Sequence, residues 1–181
     1  MQANAGAATE GRPYNEIPGL EIRRAEPDDC AAVHEMFSSP EVFPGTLQLP
    51  YPSLEDWKRQ LAQPPEGLYN LVAVSGEHVI GMVTVITFPN KPRRKHAGTF
   101  GISVHPDWQG KGVGTALLRA AIDLADNWLN LTRFELEVYA DNEAAIHLYE
   151  RFGFELEGTL RQHAFRDGQY VDSKVMSRLR H

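Results

Sequence analysis

Gly110, Gly112 and Gly114 stand at every second position, and the chain changes character across them. Before them, Phe100, Ile102 and Val104 alternate with Thr99, Gly101 and Ser103, the period of a strand. Pro106 then ends any ladder, since it has no N–H to give. After them, Val113, Ala116, Leu117, Ala120, Ala121 and Leu124 mark one face of a helix. A strand that hands over to a helix through glycines presents unpaired N–H groups and the positive end of the helix dipole, with no Cβ in the way. That chemistry is phosphate binding. A nucleotide P-loop is excluded, because Lys111 is followed by Gly112 and no glycine stands five before Gly110. The dinucleotide fingerprint needs G-x-G-x-x-G, and here the spacing is G-x-G-x-G. What remains is Gln109-x-x-Gly112-x-Gly114, for which a plain glycine-rich turn is the alternative.

With Ile102-Ser103-Val104 ahead of it, this loop resembles the acetyl-CoA pyrophosphate loop of the GNAT superfamily of N-acetyltransferases. A second stretch, Asp141 to Phe154, is similar to that family's closing segment, N-x-x-A-x-x-x-Y-x-x-x-G-F, with each fixed residue present. The resemblance implies acetyl-CoA as co-substrate and no metal. It implies cofactor contacts from Ile102, Ser103, Val104, Gln109, Gly110, Lys111, Gly112, Val113, Gly114, Thr115 and Asn142. It also implies that the strand before the glycine loop and the strand ending near Asn142 splay apart to admit the pantetheine arm. The backbone N–H near Val104 then polarises the acetyl carbonyl, and Tyr149, seven after Asn142, serves the coenzyme A sulfur as acid. Without the family, Tyr149 reads as a core tyrosine on a helix stripe, and Asn142 as a helix cap.

Attack of an amine on a thioester also needs the amine neutral. Many family members place a glutamate on the strand before the glycine loop, but residues 97–104, AGTFGISV, contain no carboxylate. Glu137 is the first choice instead. It lies five before Asn142 on the face opposite Phe134, Leu136 and Val138, where bacterial protein N-terminal acetyltransferases carry a glutamate. His96 and His105 flank the other strand and offer a water relay.

The chain beyond Leu20 is also similar to bacterial amino-acid N-acetyltransferases acting on free L-phenylalanine and L-methionine. The shared marks are Pro40-Glu41-Val42, Thr46 to Ser53, Asp126 to Leu129 and Gly168 to Asp172. That implies a small-molecule amine, a free L-amino acid, as acceptor, with Phe43, Leu47 and Gln48 at its site and Leu49 and Tyr51 extending an apolar wall. A peptide N-terminus, a polyamine and a non-catalytic coenzyme A-binding role are the alternatives. A homodimer is a common family assembly.

The elements that must position these residues are legible in order. Residues 1–19 read as a flexible tail, and residues 20–181 as one domain. Strand patterns begin at Leu20, Tyr69, His78, Phe100, Phe134, Phe154 and Tyr170, and helix patterns follow Pro27, Ser53, Val113 and Asn142. The strand from Phe154 is expected to end at Arg161, and Asp167-Gly168 to turn the final hairpin. The fold class expected is α/β, a GNAT fold. Its sheet is mixed, mostly antiparallel and seven-stranded, splayed between the fourth and fifth strands and flanked by about four helices. The formal charge of −6 argues against nucleic acid as a partner. The basic run from Lys91 to Lys95 reads as a solvated loop within reach of a nucleotide phosphate. Cys30 is the single cysteine, which excludes an internal disulfide and fits a reducing, cytoplasmic setting. No apolar run reaches membrane-spanning length.

Overall fold

The computed structural model describes residues 17–180. Its strands are β1 (Leu20–Arg24), β2 (Leu68–Ser75), β3 (His78–Thr87), β4 (Ala97–Val104), β5 (Arg133–Tyr139), β6 (Glu155–Arg166) and β7 (Gln169–Leu179). Four helices intervene: α1 (Cys30–Ser38), α2 (Leu54–Ala62), α3 (Val113–Asp123) and α4 (Glu143–Arg151). The strands form one sheet in the order β1-β2-β3-β4-β5-β7-β6. Every neighbouring pair is antiparallel except β4–β5. This is the mixed, mostly antiparallel seven-stranded sheet the sequence predicts.

The parallel pair is short, and the site depends on that. β4 and β5 are in register only at Ala97–Arg133, Gly98–Phe134 and Thr99–Glu135, and beyond Thr99 they part. Close approach at the paired end needs glycine. A Cβ on Gly98 would lie 2.6 Å from Leu131 Cδ1 and 3.1 Å from the Ile86 carbonyl. Amides of Thr132 and Arg133 both donate to the His96 carbonyl, at 2.9 and 3.1 Å, and fasten that end.

The core divides across the sheet. On one face α3 and α4 bury Val113, Leu117, Ile146 and Tyr149 against Val83, Phe100, Phe134 and Met176. On the other, α1 and α2 bury Val33, Met36, Trp57 and Leu61 against Val72, Val74 and Met82. Trp57 stacks on Phe37 with ring centroids 4.8 Å apart. Ser53 caps α2 by accepting the Asp56 N–H at 3.2 Å, and Gly153 closes α4 at φ +81°.

Several expectations are corrected. The proposed tail falls, through residue 16, outside the described residues, while Ile17 packs against the core. Asp29 stands at the N-terminus of α1. It is buried, taking both Arg23 guanidinium nitrogens at 2.7 and 2.8 Å, and Arg23 holds its carboxyl below the usual range. β6 continues past Arg161 to Arg166. The basic run lies at the start of β4, the far end from the glycine loop, where Arg94 pairs with Glu135. It is therefore out of reach of a phosphate on that loop.

Arg133 joins β5 to β6. Its guanidinium forks onto Glu157 at 2.6 and 2.8 Å, and the Ser177 hydroxyl donates to the same carboxylate at 2.7 Å. The Arg133 bonds foremost, and Ser177 next, hold Glu157 down to about 2. A carboxyl depressed by folding stabilises the fold above its unfolded titration, and that contribution is lost as pH falls through the folded value. Glu157→Gln is thus expected to lower the thermal midpoint slightly at neutral pH, with the gap to the parent closing below about pH 4. A gap independent of pH down to acid unfolding would refute the linkage. The effect is small because the side chain is 38% exposed.

Candidate active site

Where β4 and β5 part, a cavity of about 580 Å³ passes between the two faces of the sheet. Strand alternation decides which groups meet there. The His105 N–H donates to the Ile80 carbonyl at 3.0 Å, toward β3. Backbone groups alternate in direction along an antiparallel strand, so Ile102 and Val104 turn their N–H and C=O the other way, into the parting. The Val104 carbonyl accepts the Gln109 side-chain amide at 3.2 Å, which ties the glycine loop to the end of β4.

The loop then enters α3 as an anion site requires. Gly110 and Gly112 have φ of +71° and +92°, the left-handed region that glycine enters without strain. Gly112 is the N-cap, and the first intrahelical bond runs from the Ala116 N–H to its carbonyl at 3.0 Å. The N–H groups of Val113, Gly114 and Thr115 precede that bond and lack intrahelical partners. The Val113 side chain is fully buried, so its contribution to a ligand is its backbone. Lys111 is exposed, its ammonium 5.4 Å from the Trp108 ring centroid.

Tyr149 rises from α4 into the cavity, packed edge-on against Phe100 and Phe154. Burial pushes its phenol up to about 12. No hydrogen bond to its hydroxyl occurs among the described residues, and no enclosed side-chain polar atom among them is left unpaired. The hydroxyl therefore opens into the cavity. Asn142 lines the same space and caps α4, accepting the Ala145 N–H at 3.1 Å.

Glu137 lines the cavity from the opposite face, as the alternation of β5 predicts. Neither expected histidine joins it. The His96 carbonyl fastens the paired end of β4. The His105 ring nitrogen accepts the Asp107 N–H at 3.3 Å and borders a separate surface depression. His163, unmarked by any sequence motif, stands there instead, with Nε2 3.4 Å from a Glu137 carboxylate oxygen. Its strand was expected to have ended two residues earlier.

On the α1/α2 face the cavity meets Phe37, Trp57, Leu47 and Gln48. Phe43 does not line it, and Leu49 and Tyr51 are 83% and 95% exposed, so the expected apolar wall is made mainly by residues of α1 and α2. The Tyr139 hydroxyl donates to the Thr46 carbonyl at 2.8 Å and holds the Leu47–Gln48 segment over the opening. Arg166, paired with Asp141, covers the Tyr139 ring at 4.8 Å. Among the described residues Glu137 is the single carboxylate in the lining, and none of them there is a lysine or arginine. Among the described residues no His, Cys, Asp or Glu cluster is arranged to hold a metal, and no helix is long and apolar enough to cross a membrane.

This architecture has close counterparts. Residues 30–154 match the family model for the Acetyltransferase (GNAT) family. The L-amino acid N-acetyltransferase AaaT of Escherichia coli (strain K12) is 43% identical over 159 residues, covering 88% of this chain and 97% of that protein. The spermidine N(1)-acetyltransferase of the same strain is 29% identical, covering 90% and 87%. A crystal structure of spermidine N-acetyltransferase from Vibrio cholerae in complex with CoA and spermine superposes with a TM-score of 0.79 at 28% identity, covering 89% of this chain and 95% of that one. The likeness thus extends along nearly the whole domain, and the chain belongs to the GNAT family as an acetyl-CoA-dependent acetyltransferase.

Proposed function

We propose that the chain acetylates the α-amine of a free amino acid, with Glu137 as base and Tyr149 as acid. The observation that carries the acceptor class is the cavity lining. A polyamine presents several ammonium groups and calls for several carboxylates, whereas among the described residues this cavity offers only Glu137. One carboxylate suits one amine. Gln48 and Gln60, also in the lining, bring uncharged amide donors for an acceptor carboxylate. The 43% identity to a protein named for L-amino acid acetylation supports the same class.

Each residue has a defined task in this reading. The amides of Val113, Gly114 and Thr115 hold the pyrophosphate at the helix N-terminus. The Val104 N–H, turned into the parting, is placed to stabilise the oxyanion formed at the acetyl carbonyl. Glu137 removes a proton from the acceptor ammonium on the α1/α2 face. Tyr149 serves the departing sulfur from the α3/α4 face. A phenol held near 12 is a weaker acid than an ordinary thiol, so Tyr149 acts chiefly by donating a hydrogen bond to the thiolate. The sheet lies between acid and base, and the reacting carbon lies in its parting.

The direct test is thiol release from acetyl-CoA with free L-amino acids, short peptides and spermidine as separate acceptors. Amino acids are expected to give the highest kcat/KM. Faster reaction with spermidine would overturn the acceptor class, and no release with any amine would overturn catalysis. Glu137→Gln is expected to lower turnover at neutral pH by about a hundredfold, the lower end of the range for lost acid–base help. The loss should narrow as pH rises, because alkali supplies neutral amine without a base. A variant that follows the parent at every pH would remove Glu137 from the mechanism.

A further inference from the structure

β6 is irregular where it passes the cavity. Its register against β7 shifts between Leu160 and Ala164, and Gln162, within that shift, adopts a left-handed φ of +51°. A non-glycine residue in that region costs on the order of 1 kcal/mol and persists where its surroundings hold it. Here the Asp172 carboxylate accepts the Gln162 N–H at 2.8 Å. Bulges re-aim side chains beside active sites, and this one sets His163 among the cavity-lining residues. The imidazole is held from both ends. Nδ1 is 3.0 Å from the hydroxyl of Ser173, itself buried, and Nε2 is 3.4 Å from Glu137 Oε2.

We propose that Glu137 and His163 form one proton acceptor, in which Glu137 takes the proton from the acceptor amine and His163 receives it. The proposal rests on the reading of Glu137 as the base. A carboxylate is a poor resting place for a proton near neutral pH, whereas an imidazole titrates in that range. In this proposal the Ser173 hydroxyl accepts Nδ1–H, and the Nε2 lone pair faces Glu137 once that carboxyl has taken the amine's proton. The ammonium N–H bond breaks and its proton passes to Glu137. The freed nitrogen pair forms the C–N bond to the acetyl carbon as the carbonyl π pair moves onto oxygen. When that pair returns, the C–S bond breaks with its electrons leaving on sulfur, and the proton that the now cationic nitrogen must still lose passes to that thiolate, giving the amide and the free thiol. The first proton moves on from Glu137 to Nε2, giving an imidazolium beside a restored carboxylate, and leaves through the partly exposed His163 ring. The 3.4 Å separation is long for a hydrogen bond, as catalytic contacts in free enzymes often are before substrate tightens them.

The neighbouring titratable groups are few. Tyr139 and Tyr149 line the same cavity, and His163 is its single imidazole among the described residues. Asp172 is engaged by the Gln162 amide and Arg166 by Asp141, while Arg161 and Lys174 are further charges on β6 and β7.

The test compares His163→Gln, His163→Ala and Glu137→Gln in the full chain, using acetyl-CoA and the amino acid that gives the fastest thiol release. Glutamine retains polar contacts at the position and cannot store a proton. Both His163 variants are expected to lose about 10- to 100-fold in kcat at neutral pH. Acetyl-CoA affinity should be unchanged, the acid limb of the pH profile should move, and the loss should shrink as pH rises. The Glu137→Gln/His163→Gln double variant should be no slower than the slower single one, as for residues acting as a unit. A folded His163→Gln with parental kcat and pH profile, beside a slow Glu137→Gln, overturns this inference alone. A parental Glu137→Gln overturns the underlying reading of Glu137, and the paired acceptor with it. Should His163→Ala not fold, the glutamine variant carries the test, with its thermal midpoint as control.

Discussion

Tyr149→Phe is expected to bind acetyl-CoA within about twofold of the parent and to turn over about 10²–10³-fold more slowly, the usual cost of losing one donor to a developing negative charge. The substitution is clean for a structural reason. The ring, packed between Phe100 and Phe154, is retained, and the hydroxyl has no partner among the described residues whose loss could disturb the fold. The thermal midpoint should therefore hold. Stopped-flow turnover beside calorimetric binding separates the roles. Equal losses in affinity and turnover would make Tyr149 a wall of the cavity and no acid.

Gly114→Asp is expected to separate stability from cofactor binding in opposite directions. A Cβ at this position would lie 3.5 Å from Leu148 Cδ2 and 3.8 Å from Val104 Cγ2, ordinary contact distances, and the backbone there is helical. A carboxylate in the first turn of α3 favours the helix, by about 0.3–1 kcal/mol. The same charge stands where the pyrophosphate must sit. Like charges about 4 Å apart repel by roughly 1 kcal/mol in water and roughly 4 near a protein surface, which is about a fivefold to thousandfold loss of acetyl-CoA affinity. Gly112→Asp shares the direction but adds strain, since φ there is +92°. An unchanged Kd in folded Gly114→Asp would remove the pyrophosphate from this loop.

Local chemistry made much of this legible. Ser53, Asn142, Gly153 and the Asp167-Gly168 turn each declare an element boundary through a cap or a left-handed residue, and each stands where the reading put it. The faces of β5 followed from alternation, which placed Glu137 opposite the core. His163 was missed for the converse reason. The period of two breaks at Gln162, so a pattern that assumes unbroken alternation stops at Arg161 just before the residue that matters. The histidines chosen instead, His96 and His105, were near in sequence and sit at the wrong ends of β4. Phe43, Leu49 and Tyr51 failed similarly, because apolar character in a proline-rich loop does not say which side of the loop faces inward.

The three-residue pairing of β4 with β5 also has a mechanical meaning. β1 to β4 form one hydrogen-bonded panel, β5, β7 and β6 another, and the seam between them is stitched only from Ala97 to Thr99. Beyond the last stitch both panels present strand edges toward the parting, and among the described residues no backbone rung joins β4 to β5 there. An extended, amide-bearing ligand laid along that seam supplies the missing rungs. In the reading proposed above, the co-substrate acts as a keystone, and by mass action its binding to the folded sheet stabilises it. The opening in which the chemistry is done is equally the seam of the sheet with the fewest paired residues.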